Sequence, residues 1–217
     1  MADDSSRAGK RYTDPDIIAY VDRVHAAHDS GLAGAFSSPE RDGLPAIQLG
    51  VSEGKLLEIL IKLCGAKKVV EVGTLAGYSA IRIARALPAD GKLWTVESDP
   101  RHAKVAEQNI AAAGFGDRVE VVVGTGVEAL PKIAAHAPFD AVFIDADKES
   151  YPIYGEFAAA HVRRGGLIIG DNAYLFGNLC DDTERGRAMR AFHERAAESF
   201  DTVCVPTPDG MVVGIRN

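Results

Sequence analysis

From Lys67 onward the chain alternates short β-rich runs with stretches of helical periodicity, and that alternation leaves few folds open. Strands that each lead into a helix before the next strand build a mostly parallel sheet with helices packed against it. The runs read as strands are Lys68 to Val72, Leu93 to Glu97, Val119 to Val123, Ala141 to Asp145, Leu167 to Asp171, Thr202 to Val205 and Met211 to Ile215. Only Pro206 to Gly210 separates the last two, and a parallel crossover needs about a dozen residues or more. These two strands therefore form a hairpin with its turn at Asp209-Gly210, and one strand at that end runs antiparallel to the rest.

Helix signals fall between the strands. Asp99-Pro100 is an N-cap followed by proline at the first helical position, and Gly114 closes that helix. Before the first strand, Leu56, Ile59, Leu60 and Leu63 recur at helical spacing behind an expected N-cap at Ser52. Trp94 lies within a strand and reads as core. Residues 51–217 thus form one domain, and residues 1–50 are an N-terminal extension. That extension has an expected disordered start, then a helix over Asp14 to His28 with Ile17, Ile18, Val21 and Val24 as its apolar stripe. The Gly, Ser and Pro content of Ser30 to Pro45 reads as a mobile connector that covers the site or pairs with a second subunit. His25 and His28 lie three apart on the helix, and without a third convergent donor they read as surface residues.

Charge and cysteine usage narrow the partners. Formal net charge is −7 and the basic residues are scattered, which disfavours a nucleic-acid footprint. Cys64, Cys180 and Cys204 are odd in number and widely spaced, which fits a reducing cytoplasm better than a disulfide framework. Met1 to Lys10 lack the apolar core of a signal peptide, and no apolar run is long enough to span a bilayer.

Chemistry concentrates at strand ends. Phe143-Ile144-Asp145-Ala146-Asp147-Lys148 is answered by Gly170-Asp171-Asn172; each is an apolar run that breaks off at oxygen donors, as a parallel strand does where it opens into a crevice. Asp145, Asp171 and Asn172 are hard ligands of the kind that hold Mg²⁺; the bland alternative is that the aspartates only cap the next helices. Glu71-Val72-Gly73-Thr74-Leu75-Ala76-Gly77-Tyr78-Ser79 follows the first strand and opens a helix, which suits a nucleotide-like cofactor. Its glycine spacing departs from the dinucleotide fingerprint and so disfavours a dehydrogenase. Glu97, ending the next strand, either accepts hydrogen bonds from ribose hydroxyls or is a solvated strand end. Glu71 adds a carboxylate suited to a cationic ligand such as the sulfonium and amino group of S-adenosylmethionine (SAM).

With these residues in view, the chain resembles the cation-dependent O-methyltransferases of the caffeoyl-CoA and catechol type. The likeness runs from about Gln48 to Ile215 and is carried by Glu53-Gly54, the Ala66 to Gly73 run, Gly77-Tyr78-Ser79-Ala80, the Asp145-Ala146-Asp147-Lys148 run with Tyr151, and Gly170-Asp171-Asn172. It implies a Rossmann-like class I methyltransferase fold, with a seven-stranded mostly parallel sheet, one reversed strand near the C-terminal hairpin, and helices on both faces. It further implies that Asp145, Asp171 and Asn172 bind Mg²⁺, or another divalent ion such as Mn²⁺ or Ca²⁺, with Lys148 as general base. Glu97 would bind the ribose, Gly73, Tyr78 and Ser79 the methionine end, and Gly124, Thr125 and Gly126 the adenine, with Asp145 touching both metal and cofactor. A homodimer and a small aromatic acceptor with vicinal hydroxyls are also implied. Where many relatives have a Leu-Trp pair, this chain reads Ala173-Tyr174-Leu175-Phe176-Gly177, so Tyr174 and Phe176 either stack on the acceptor or are ordinary loop packing.

The residue types suit the implied reaction. A phenol with a pKa near about 10 is mostly protonated at neutral pH, so methylating its oxygen requires something that favours the anion. A divalent ion does so and fixes the oxygen's position. Lysine is a cation that burial can neutralise for general-base work; the alternative for Lys148 is a simple ion pair with Asp147 or Glu149. Two further readings stay open, a methyltransferase acting on a hydroxylated transfer-RNA base and a SAM-binding protein without catalysis.

Overall fold

In the computed structural model, which describes residues 14–217, the strands are β1 (Lys68–Val72), β2 (Lys92–Glu97), β3 (Val119–Val123), β4 (Phe139–Ile144), β5 (Val162–Gly170), β6 (Phe200–Val205) and β7 (Met211–Arg216). They form one seven-stranded sheet in the order β3-β2-β1-β4-β5-β7-β6. Neighbours from β3 to β5 pair parallel, whereas β7 runs antiparallel to both β5 and β6. The hairpin expected from the short Pro206 to Gly210 link is thus present, and β7 is the reversed strand.

Strand alternation divides the core into two layers. Val70 and Val72 of β1 with Val142 and Ile144 of β4 face one side, and Val69 with Ala141 and Phe143 face the other. The first side is covered by α6 (Gly126–Ile133), α7 (Tyr151–His161) and α8 (Glu184–Ser199), which contribute Leu130, Tyr151, Tyr154, Met189 and Phe192. The second is covered by α2 (Ser30–Asp42), α3 (Val51–Cys64), α4 (Tyr78–Ala86) and α5 (Pro100–Ala112), through Leu32, Leu57, Ile61, Ile81 and Ile110. Trp94 is core, at 6% exposed. Outermost is α1 (Pro15–His25), capped by the Asp14 carboxylate on the amides of Asp16 and Ile17.

Three local expectations are corrected. Ser30 to Pro45 is mostly the helix α2 and not a connector: Asp29 accepts the Leu32 amide at 3.1 Å, Leu32 and Ala35 are buried on one face, and Gly43 closes the helix in the left-handed region at φ 68°. Its Gly, Ser and Pro content masked a capped amphipathic segment. The N-cap of α3 is Gly50 and not Ser52, because Glu53 reaches back to accept the Gly50 amide at 3.0 Å, while the Ser52 hydroxyl bonds Asp22 of α1. His28 is only partly exposed, wedged between Phe36 and Tyr78. The expected disordered start, and the Met1 to Lys10 reading, fall outside the described residues. Among the described residues no helix is long and apolar enough to cross a membrane.

Candidate active site

Register decides where the functional residues emerge. Val72 pairs with both Val96 and Ile144, Glu97 with Val123, and Ile144 with Gly170. Gly73, Glu97, Gly124, Asp145 and Asp171 therefore leave the sheet together at its carboxyl edge, astride the β1/β4 boundary where strand order reverses direction. That is where open α/β sheets hold ligands. A cavity of about 880 Å³ occupies the position, lined among others by Gly73, Tyr78, Ser79, Glu97, Gly124, Thr125, Gly126, Asp145, Lys148 and Asn172. Two of the expected residues, Glu71 and Asp171, lie behind its wall.

At the β1/β2 end the strand-end carboxylate is paired, while Glu71 behind it keeps Oε1 buried without a partner. Glu97, 7% exposed, accepts the Leu75 amide on Oε2 at 2.7 Å and the Asp99 amide on Oε1 at 3.0 Å. These bonds fix the plane of the carboxylate, and each oxygen keeps a further lone pair. Gly73 has φ 100°, and a Cβ there would collide with the backbone carbonyl oxygen of Asp145, so only glycine lets the β1 and β4 turns approach this closely. Behind the turn, the Thr74 and Thr95 hydroxyls lie 2.5 Å apart and Thr95 donates to Glu71 Oε2, also at 2.5 Å. Glu71 is wholly buried, which pushes its carboxyl up to about 8 against the pull of the Ser79 and Thr95 hydroxyls. It is a neutral acid at neutral pH and supports the turn from within.

The β4/β5 end is different. Lys148, in a short helical turn before α7, donates from Nζ to Asp145 Oδ1 at 3.2 Å and to the Tyr151 hydroxyl at 3.0 Å. Its partner is therefore Asp145; Glu149 pairs instead with Arg185 at 2.6 Å, and Asp147 accepts the Tyr154 hydroxyl at 2.6 Å. Tyr151 is fully buried and lies within 2.9 Å of the Asp171 carbonyl oxygen and 3.2 Å of that of Ile144, which fixes it between β4 and β5. Asp171 is 5% exposed, and burial, then the carboxylates of Asp145 and Glu53, push its carboxyl up to about 8. Its Oδ1 is buried without a hydrogen-bond partner. Asn172 follows at φ 52°, in the left-handed region, a conformation asparagine tolerates better than most residues.

Among the described residues no three His, Cys, Asp or Glu side chains are grouped as a metal site; the expected set has two carboxylates and one amide. Its chemistry fits a hard divalent cation. An orphaned buried carboxylate oxygen beside like charges is the situation such an ion relieves, and oxygen-only donors suit Mg²⁺.

Sequence reading missed several wall residues. Ile47, Gln48 and Leu49, from the segment after α2, line the cavity; Gln48 donates to the Phe36 carbonyl at 2.9 Å and leaves its Oε1 buried without a partner. His102 also lines it, with Nδ1 3.6 Å from Glu97 Oε1. Its place at the start of α5, three residues past the Asp99 cap, was a signal in the sequence. Gln48 had none, because its position depends on how α2 turns back toward the sheet. Phe176 lines the cavity and is 66% exposed, whereas Tyr174 packs on Gly210.

A parallel α/β sheet with a glycine turn, a strand-end carboxylate and a nucleotide-sized cavity at its switch point defines a Rossmann-like protein built to hold a small ligand against an acidic crevice. A family model described as O-methyltransferase matches residues 35–217, and the chain belongs to that O-methyltransferase family. It is 40% identical to a catechol O-methyltransferase from Niastella koreensis over 199 residues, covering 91% of this chain and 90% of that protein. Among solved structures, the O-methyltransferase from Bacillus cereus in complex with SAH superposes with a TM-score of 0.88 at 34% identity, covering 96% of this chain and 99% of that one. TomG from Streptomyces achromogenes, an O-methyltransferase involved in tomaymycin synthesis and solved with SAM, gives 0.87 at 31% identity, covering 96% and 98%.

Proposed function

We propose that the protein moves a methyl group from SAM to one hydroxyl of a small catechol-like or phenolic acceptor, with a divalent cation, Mg²⁺ or a related ion, at Asp145, Asp171 and Asn172. The observation that carries the reading is the position of Asp145. Its backbone meets the Gly73 turn and its carboxylate meets Lys148, so the same residue borders the cofactor half and the acceptor half of one cavity. Relatives named catechol O-methyltransferase and neighbours solved with SAM or SAH support the methyl-transfer part of this reading.

When bound, SAM supplies a methyl group on a sulfonium and the cation supplies a Lewis acid for the acceptor's oxygens. The chain supplies the rest. Glu97, held by two backbone amides, accepts the ribose hydroxyls. Lys148 Nζ takes the proton of the hydroxyl to be methylated, and Tyr151 with Asp145 fixes Nζ in place. Phe176 presents an aromatic face at the cavity mouth on which a phenolic ring can stack. The same reading includes a homodimer: Ile17, Tyr20 and Val24 of α1 are 46%, 60% and 49% exposed, an apolar face suited to a second copy. The test is methyl transfer to a panel of catechols and caffeoyl esters, with Mg²⁺ and with excess chelator, read by mass spectrometry. Chelator-sensitive monomethylation is expected; undiminished transfer in chelator removes the metal from the reading, and no transfer to any acceptor removes the acceptor class.

A further inference from the structure

Residues 26–29, between α1 and α2, are fastened to the cavity wall by a buried polar knot that the reaction itself does not use. Tyr78, 2% exposed at the start of α4, lines the cavity. Its phenolic oxygen receives N–H bonds from Arg82 Nε at 3.3 Å and Nη2 at 3.1 Å. Arg82, also 2% exposed, donates through Nη1 to Glu58 of α3 at 3.1 Å and through Nη2 to the Ala26 carbonyl at 3.3 Å. His28 Nε2 lies 2.9 Å from the Tyr78 hydroxyl. Arg82 is a permanent donor, so both lone pairs of the phenol are engaged and its proton has one destination, the Nε2 of a neutral imidazole protonated on Nδ1. The His28, Phe36 and Tyr78 rings close a three-way aromatic contact with centroids 5.1 to 5.3 Å apart. From the other side α3 presses so close that a Cβ on Gly54 would stand 3.0 Å from the Tyr78 ring.

We infer that His28 is a positioning residue for the cofactor cavity: by accepting the Tyr78 hydroxyl it locks that ring of the cavity wall into the binding conformation. The inference rests on the proposed use of the cavity for SAM. It adds a pH dependence of cofactor affinity whose origin is outside the reacting groups.

The charges facing His28 are Arg82 and Arg85 from α4, Asp22 from α1, Asp29 at the α2 cap and, through Arg82, Glu58 from α3. Burial first, then Arg82, holds the imidazole below its ordinary 6.5, with Asp22 and Asp29 pulling the other way. Burial keeps the Tyr78 hydroxyl protonated. A proton on Nε2 would place a donor where the phenol needs an acceptor and a second cation beside Arg82. The contact is therefore complete above 6.5 and is lost as pH falls from there through the lowered folded value.

Calorimetric titration of the full chain with SAH, between about pH 7.5 and about pH 5.5, tests this on the wild type and three variants. His28→Phe keeps the ring contacts and loses the acceptor; about tenfold weaker binding is expected at the upper pH. His28→Gln keeps an acceptor that does not titrate; binding within about threefold of wild type and a flattened pH slope are expected. Tyr78→Phe removes that bond together with the two from Arg82, so adding His28→Phe to it should cost little more than Tyr78→Phe alone. Unchanged binding in His28→Phe, or the wild-type slope surviving in His28→Gln, overturns the inference alone. Failure of the wild type to bind SAH at any pH overturns the functional reading and this inference with it.

Discussion

The two halves of the cavity differ in how their strand-end carboxylates are held. At the β1/β2 end the strand-end carboxylate of Glu97 already has its two amide donors, although Glu71 behind it keeps one buried oxygen without a partner. At the β4/β5 end Asp171 lies buried beside Asp145 and Glu53 with an oxygen left unpartnered. The first carboxylate is held by backbone donors; the second lies among like charges, the setting in which the proposed cation would bind. Under the proposed function one half would grip a cofactor and the other would take an ion and a second substrate, which gives the pocket reason to divide its stability in this way.

The sharpest way to break that contrast is Asp171→Ala. If the acceptor half depends on a cation, turnover should fall by about a thousandfold or more while the thermal midpoint holds or rises, because a strained buried acid has been removed; steady-state rates beside a melting curve decide it. Lys148→Met comes next, with about a hundredfold or greater loss in kcat and an unchanged KM for SAM. A loss confined to SAM affinity would move Lys148 to the other half. Glu97→Ala should act there, weakening SAM binding by about ten- to a hundredfold with a smaller effect on kcat, since it removes charge-assisted bonds to a ground-state ligand. Binding calorimetry against single-turnover rates separates the two terms.

The smallest effect concerns stability. Glu71 has an ordinary value of 4.5 and a folded value of about 8, so across that window the unfolded chain sheds a proton the folded chain retains. Stability present at low pH is therefore lost as pH rises from 4.5 through about 8. Glu71→Gln should flatten that slope and raise the melting temperature near the upper end by several degrees. An unaltered slope would mean that the Glu71 carboxylate already finds a compensating charge.

The strands, the hairpin and the strand-end acids were legible because each is local. Short β-rich runs, an Asp-Pro cap and a link too short for a crossover are decided within a few residues. Asp145 and Asp171 were read as the last residues of their strands and are instead the first residues of the turns, since pairing stops at Ile144 and Gly170. What could not be read depends on distant packing. The α2 helix is stabilised by burying Leu32 and Ala35 against the rest of the chain, which its glycines and serines do not announce. The knot of His28 with Tyr78 joins residues fifty positions apart, and the choice of Asp145 as partner of Lys148 follows from how the turn folds, not from nearness in sequence.

The reversed strand has a consequence for how such a protein can change. Because β7 begins where β5 ends, the hairpin turn lies at the ligand edge of the sheet: the Ala173 and Tyr174 amides bond the carbonyls of Gly210 and Asp209, and the Asp209 carboxylate receives the Phe176 amide at 2.8 Å. In a fully parallel sheet that turn would sit at the opposite edge. Here a short surface loop, the kind of segment most open to replacement, holds the aromatic rim of the proposed acceptor site. Changing residues 206–208, with Asp209 and Gly210 kept for their bonds to residues 173–176, is thus a route to a new acceptor range that leaves the sheet and the cofactor cradle in place.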